Sequence, residues 1–131
     1  MIVADASALV AIGERESDAP AFATALENNE TIISYVNYVE TGIILISRGR
    51  LVGQADLDHW LDRIGVSIMR GESLGALAMA AYLRFGRGYH PAKLNLGDCF
   101  AYALAKSLDA PLLYKGNDFA LTDVKSALQP T

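Results

Sequence analysis

Four acidic side chains stand where a packed interior would not place them: Asp5, Glu40, Asp98 and Asp118. Asp5 ends the apolar run Ile2-Val3-Ala4 and precedes Ser7-Ala8-Leu9-Val10-Ala11-Ile12. Glu40 lies four residues after Val36 and three and four before Ile43 and Ile44, on or beside the apolar stripe of a helix. Asp98 is followed by seven apolar or small residues, Cys99 to Ala105, and Asp118 falls just past Leu112-Leu113-Tyr114 in Lys115-Gly116-Asn117-Asp118-Phe119. Each acid taken singly has a purely structural account. Asp5 is a good helix N-cap, and Glu40 can sit at the edge of its stripe with its head in water. Asp98 suits the positive end of a helix that Asn95 caps, and Gly-Asn-Asp is good turn chemistry. Taken together they carry chemistry. Carboxylates converging in a cleft repel one another, and a hard divalent cation such as Mg²⁺ relieves that repulsion without a full protein cage. Such an ion lowers the pKa of a water and neutralises a transferring phosphoryl group, so the expected class is metal-assisted phosphoester chemistry.

The elements that must position these acids follow from the periodicity. Ile2–Ala4 reads as a short buried strand leading into a helix near Ser7, and Asp18–Glu27 as a helix stopped by Asn28-Asn29. Thr31–Ile33 reads as a second strand, and Val36, Val39, Ile43, Ile44 and Ile46 recur at helical spacing. Gln54–Ile64 is amphipathic with Leu57, Trp60, Leu61 and Ile64 on one face, and Gly65 ends it. Val66–Met69 is a third strand, Leu74–Phe85 an Ala-rich helix, and Leu96–Leu108 a helix apolar on nearly every face and therefore central. Pro111–Tyr114 is a fourth strand, with Val124 as a candidate for a short fifth. Alternating strands and helices imply a short, mostly parallel central sheet of four to five strands in a three-layer α/β/α arrangement. Ligand sites of such sheets lie beyond the carboxyl ends of the strands, where Asp5 and Asp118 fall.

Length and composition bound the function. With 131 residues the chain is expected to be one domain, 1–131, and 52% hydrophobic against 20% charged residues excludes disorder. One cysteine, Cys99, makes no internal disulfide and suits a reducing cytoplasm. It reads as buried filler, because no His is placed to activate it. The N-terminus lacks a basic, then apolar, leader, and no run approaches the ~20 apolar residues of a membrane helix, so no membrane role is expected. Eleven Lys and Arg against 15 Asp and Glu give a formal charge of −4, which argues against a nucleic-acid binder acting through bulk charge. Setting the four candidate acids aside leaves the remainder balanced, so the acidic surplus is the candidate site itself.

The segments MIVADASALVAI (Met1–Ile12), RFGRGYHPAKLN (Arg84–Asn95), LNLGDCFAYALAK (Leu94–Lys106) and PLLYKGNDFALTDV (Pro111–Val124) together resemble PIN-domain ribonucleases, above all the VapC-type toxins of type II toxin–antitoxin pairs. The stretch around Asp98 followed by the Lys-Gly-Asn-Asp-Phe strand exit is the specific part. The resemblance implies a PIN-like fold and places the family's catalytic, metal-binding acids on Asp5, Glu40, Asp98 and, in a loop that varies, Asp118. Asn117 stands where some relatives carry a further acid. Ser7 matches a small hydroxyl residue that supports a carboxylate or a metal-held water, and an N-cap role suits it equally. The resemblance also implies a Mg²⁺- or Mn²⁺-dependent endoribonuclease that cuts RNA with a metal-activated water. It further implies a homodimer and a VapB-type antitoxin, a DNA-binding protein whose tail enters the active-site groove of a toxin–antitoxin hetero-oligomer.

Arg84, Arg87, His90 and Lys93 form the densest basic stretch and are candidates for RNA phosphate contacts, a solvated loop being the plain alternative. Tyr89 can stack on a base or pack onto the domain. Trp60 reads as core or partner contact, and His59 as exposed. A phosphoacceptor, receiver-like signalling domain is the competing enzyme-like class, since it shares the length, the acidic Mg²⁺ pocket and a lysine near the last strand, here Lys115. It requires an acceptor acid at the end of a middle strand, and the third strand runs out at Met69-Arg70-Gly71. An idle module that merely holds a basic partner is the third class.

Overall fold

The computed structural model describes residues 1–69 and 73–128. Strands β1 (Ile2–Ala4), β2 (Thr31–Ile33), β3 (Val66–Ile68) and β4 (Leu112–Leu113) form one parallel sheet in the order β3-β2-β1-β4. Helices α1 (Ala6–Gly13), α2 (Ala19–Asn28), α3 (Tyr35–Ser47), α4 (Gln54–Arg63), α5 (Gly75–Phe85) and α6 (Leu96–Ser107) intervene. The strand period of two sorts the core. Ile2, Ala4 and Leu113 face a cluster containing Leu9, Phe22, Leu45, Leu57 and Leu61. Val3 and Leu112 face the other, with Ala78, Phe85, Ala101, Leu104 and Phe119. Helices α1–α4 thus cover one face and α5–α6 the other, the three layers expected. Strand order reverses beside β1, with β2 on one side and β4 on the other, so a crevice opens at the carboxyl ends of β1 and β4.

The expected elements are present with ends shifted by a residue or two. Val124 is buried but lies in no strand; the only pairing near it is a single bridge between Leu112 and Ser126, so the sheet has four strands among the described residues. Arg70 and Gly71, where the third strand was expected to run out, lie outside the described residues. Trp60 is core, His59 is exposed, and Cys99 is buried with its thiol pushed up to about 11 by burial and then by Asp98. No helix among the described residues is long and apolar enough to cross a membrane.

Helix α3 departs from its hydropathy pattern. Val39 is 50% exposed and Ile43 63%, whereas Asn37, Tyr38, Thr41, Gly42 and Leu45 are its buried residues. The reason is close helix packing. A Cβ on Gly42 would stand 2.6 Å from the Leu57 side chain, and one on Gly13 would stand 2.7 Å from that of Leu45. Gly42 therefore makes room for Leu57 of α4 and Gly13 of α1 for Leu45, while the β-branched Val39 and Ile43 are left outside. Ile43→Ser is accordingly expected to move the folding stability of the single protomer by no more than about 0.5 kcal/mol. Leu45→Ala, on the same helix, is expected to cost about 2–5 kcal/mol. Urea titration of the two variants checks the contrast.

Candidate active site

Asp5 leaves β1 at the reversal point, its backbone N–H donating to Leu113 O at 2.8 Å, and it caps α1 by accepting from Ser7 N at 3.0 Å. It is therefore both the cap and a residue of the strand edge, and only 3% of it is exposed. Its second oxygen, Oδ1, is buried without a hydrogen-bond partner. A buried carboxylate oxygen left open is costly and points to a missing cationic or donor group. Ser7, the expected support, donates its backbone N–H to Asp5 Oδ2 and accepts from Lys115 N at 2.9 Å through its hydroxyl, tying the exit of β4 to that of β1.

Asp98 sits in the first turn of α6 in a reciprocal capping box. Asn95 Oδ1 accepts from Asp98 N at 2.9 Å, and Asp98 Oδ2 accepts from Asn95 N at 3.0 Å. Glu40, half-buried on α3, lies against the same turn of α6. A Cβ on Gly97 would come within 2.5 Å of its Oε1. Asn37 Nδ2 donates to Glu40 Oε1 at 3.4 Å and to Gly97 O at 3.0 Å. Asp118 is exposed at the start of a 3-10 turn, Phe119–Leu121, with its backbone carbonyl accepting from Leu121 N. Asn117 beside it is exposed.

Three of these acids hold their protons more tightly than usual. Burial raises the Asp5 pKa, opposed by the hydrogen bonds from Ser7 and the Ala6 N–H. Burial and then the Asp5 charge raise that of Glu40, opposed by Asn37. Asp98 is pushed up to about 7 by burial first, with the charges of Asp5, Glu40 and Asp118 adding to it against the Asn95 N–H. The four acids thus share one electrostatic field. Even so, among the described residues no group of three or more His, Cys, Asp or Glu side chains is arranged to hold a metal ion as it stands. The two facts are compatible, because charge repulsion reaches further than a coordination bond. The donor set is all carboxylate, one oxygen is buried and open, and burial, with charge repulsion added at Glu40 and Asp98, raises the proton affinities. These residues fit a hard cation that keeps several of its waters.

The basic stretch is divided by the fold. Arg84 pairs with Asp123 at 3.4 Å and lies 4.6 Å from the centroid of the Phe85 ring. His90 uses Nδ1 to accept from Ala92 N at 3.0 Å and packs edge-on to Phe85. Arg87 and Lys93 are exposed. Tyr89 is 61% exposed and meets Tyr82 edge-on. Lys115 is held by Glu16 and by Asp18, the latter at 3.4 Å. That engagement takes up the lysine a receiver would need, the other middle strand, β2, exits at Ser34, and β3 lies at the edge of the sheet. The receiver-like reading is set aside. Sequence reasoning missed Asn37 and Gly97 altogether, since neither a polar residue in Tyr-Val-Asn-Tyr-Val nor a glycine in Asn-Leu-Gly-Asp-Cys carries a visible mark of a contact made across sixty residues.

Comparison with known proteins identifies the family and the fold. The PIN domain family model matches residues 2–125. The chain is 41% identical to the VapC ribonuclease Mb0640 of Mycobacterium bovis over 131 residues, covering 98% of this chain and all of that protein. It is 45% identical to the ribonuclease VapC of Mycolicibacterium smegmatis over 125 residues, covering 94% and 97%. The crystal structure of PAE2754 from Pyrobaculum aerophilum shares the fold, with a TM-score of 0.60 at 18% identity, covering 95% of this chain and 86% of that one. The chain is a member of the PIN-domain family, and its full-length relatives there are VapC ribonucleases.

Proposed function

We propose that this protein is the toxin of a type II toxin–antitoxin pair and acts as a metal-dependent endoribonuclease. The observation that carries the reading is the carboxylate cluster at the β1–β4 crevice: a buried Asp5 with one open oxygen, and Glu40 and Asp98 sharing its field. Asp5, Glu40 and Asp98 would hold Mg²⁺ or Mn²⁺, with Asp118 at the exposed margin. A bound divalent cation supplies positive charge at the scissile phosphate and makes a water more acidic. The protein's own part is positional. The Ser7 N–H and the capping box fix the carboxylates of Asp5 and Asp98, and Asp98, which keeps its proton up to about pH 7 without metal, would give that proton up to bind the cation as a carboxylate. The tests are direct. RNA cleavage is expected in Mg²⁺ or Mn²⁺ and none in EDTA, with activity returning on adding the metal back. Cleavage undiminished in EDTA overturns the proposal.

RNA phosphates are expected at Arg87 and Lys93, the exposed members of the basic stretch, while Arg84 serves the Asp123 pair and His90 the loop. Arg87→Ala with Lys93→Ala should raise KM for RNA several-fold and flatten its salt dependence by about one to two phosphate contacts. Arg84→Ala should leave both nearly unchanged. Cleavage assays between low and high salt distinguish the two outcomes.

The partner is a VapB-type antitoxin whose basic tail enters the anionic crevice, a pairing that charge complementarity supports. A homodimer is supported by the exposed apolar residues Val39, Ile43 and Leu96, which border a crevice of about 570 Å³ beside Glu40. The compartment that fits a reduced Cys99 and an RNA substrate is the cytoplasm.

A further inference from the structure

Asn37 on α3 has no exposed surface, and both polar atoms of its side chain have partners. Its Oδ1 accepts from Ser34 Oγ at 2.6 Å, and its backbone N–H donates to that same hydroxyl at 3.1 Å. Its amide nitrogen has two hydrogens and two acceptors, Gly97 O at 3.0 Å and Glu40 Oε1 at 3.4 Å. Ser34 caps α3 directly beyond β2, so the amide is oriented from the sheet edge. One rigid group therefore joins the end of β2, the Glu40 carboxylate and the residue beside Asp98. Buried amides are costly unless fully paired, and a fully paired one specifies a single geometry. Gly97 completes the arrangement, since a side chain there would displace the carboxylate that Asn37 holds.

We propose that Asn37 is a positioning residue of the metal site: through its two amide hydrogens it holds Glu40 against the first turn of α6 and so sets the spacing between the Glu40 and Asp98 carboxylates. This rests on the reading of Glu40 as a metal carboxylate. Groups that orient a ligand without touching the metal commonly change its affinity by roughly 10–100-fold when lost. Asn37→Leu keeps the volume and removes the amide.

Mn²⁺ titration of the full chain, followed by electron paramagnetic resonance, is the primary measurement, with RNA cleavage as the second. Asn37→Leu should bind Mn²⁺ roughly tenfold or more weakly and lower kcat while leaving KM for RNA in place. Combined with Glu40→Gln it should weaken Mn²⁺ binding no further than Glu40→Gln alone, because Asn37 acts through Glu40. A loss that adds in full means that Asn37 supports only the fold, and overturns the proposal. So does wild-type Mn²⁺ affinity in Asn37→Leu when Glu40→Gln has lost it. Wild-type affinity in Glu40→Gln removes the underlying reading of Glu40 instead, and the proposal with it. Should Asn37→Leu fail to fold, Gly97→Ala decides, since it displaces the Glu40 carboxylate and leaves the amide in place. Weakened Mn²⁺ binding there supports the proposal, and unchanged binding overturns it.

Discussion

Asp98→Asn is expected to lower RNA cleavage by at least ~10³-fold, the several kcal/mol that a metal-held transition state loses with a ligand. The same change is expected to make the metal-free protein more stable. Asp98 holds its proton up to about pH 7 when folded, against the ordinary 3.8 of an unhindered Asp. Between those two values the folded chain binds more protons than the unfolded one, so folding stability falls as pH rises. The contribution is fully present below about pH 4 and gone above about pH 7. Asparagine keeps the neutral state at every pH and removes that slope. Part of Asp98 remains in water, so the gain at pH 8 is discounted to the order of 1–2 kcal/mol. Urea unfolding of both proteins from pH 4 to 8 in EDTA reads the effect. Mn²⁺ should raise the melting temperature of the wild type and not of the variant, because only a site that binds the ion gains by mass action. A variant that cuts RNA at the wild-type rate refutes the assigned role.

The second large effect separates the two duties of Asp5. Asp5→Asn and Asp5→Ala should each abolish cleavage to a similar extent, since both remove the buried charge beside the open oxygen. Their stabilities should differ. Asparagine retains an oxygen for the Ser7 N–H and remains a good N-cap, whereas alanine leaves that donor without its acceptor, at about 1 kcal/mol. In EDTA, Asp5→Asn should therefore be more stable than the wild type, whose burial of a carboxylate raises its pKa, and Asp5→Ala should fall below Asp5→Asn by about the value of the cap. Calorimetry at pH 8 measures both. Equal melting temperatures for the two variants would show that the cap contributes nothing.

Much of the fold was legible because strand and helix periods differ and this chain keeps them apart. Ile2–Ala4, Thr31–Ile33 and Leu112–Leu113 are short apolar runs bounded by polar turns, and α6 is so uniformly apolar that only a central position suits it. The capping of α6 by Asn95 was equally local, a matter of three residues of spacing. Val124 misled because one β-branched residue beside a strand exit looks the same whether it makes a ladder or only fills the core. Helix α3 misled because hydropathy ranks Val39 and Ile43 above Asn37 and Gly42, while burial there is decided by how closely α1, α4 and α6 approach. Arg84 and Lys115 looked available as cations until the fold set Asp123 and Glu16 beside them.

The sequence by itself determined which residues could do chemistry and at which element ends they stand. Asp5 terminates a strand, Asp98 opens a helix, and Glu40 rides on another helix, all properties of neighbours within four residues. Only the tertiary structure decided that they share one field, because convergence depends on strand order, which places β4 beside β1, and on the seam where Gly97 admits the Glu40 carboxylate. Proton affinity was decided there too. It follows from the loss of water around a carboxylate and from the charges that other elements bring near it, and neither is a local property of the chain.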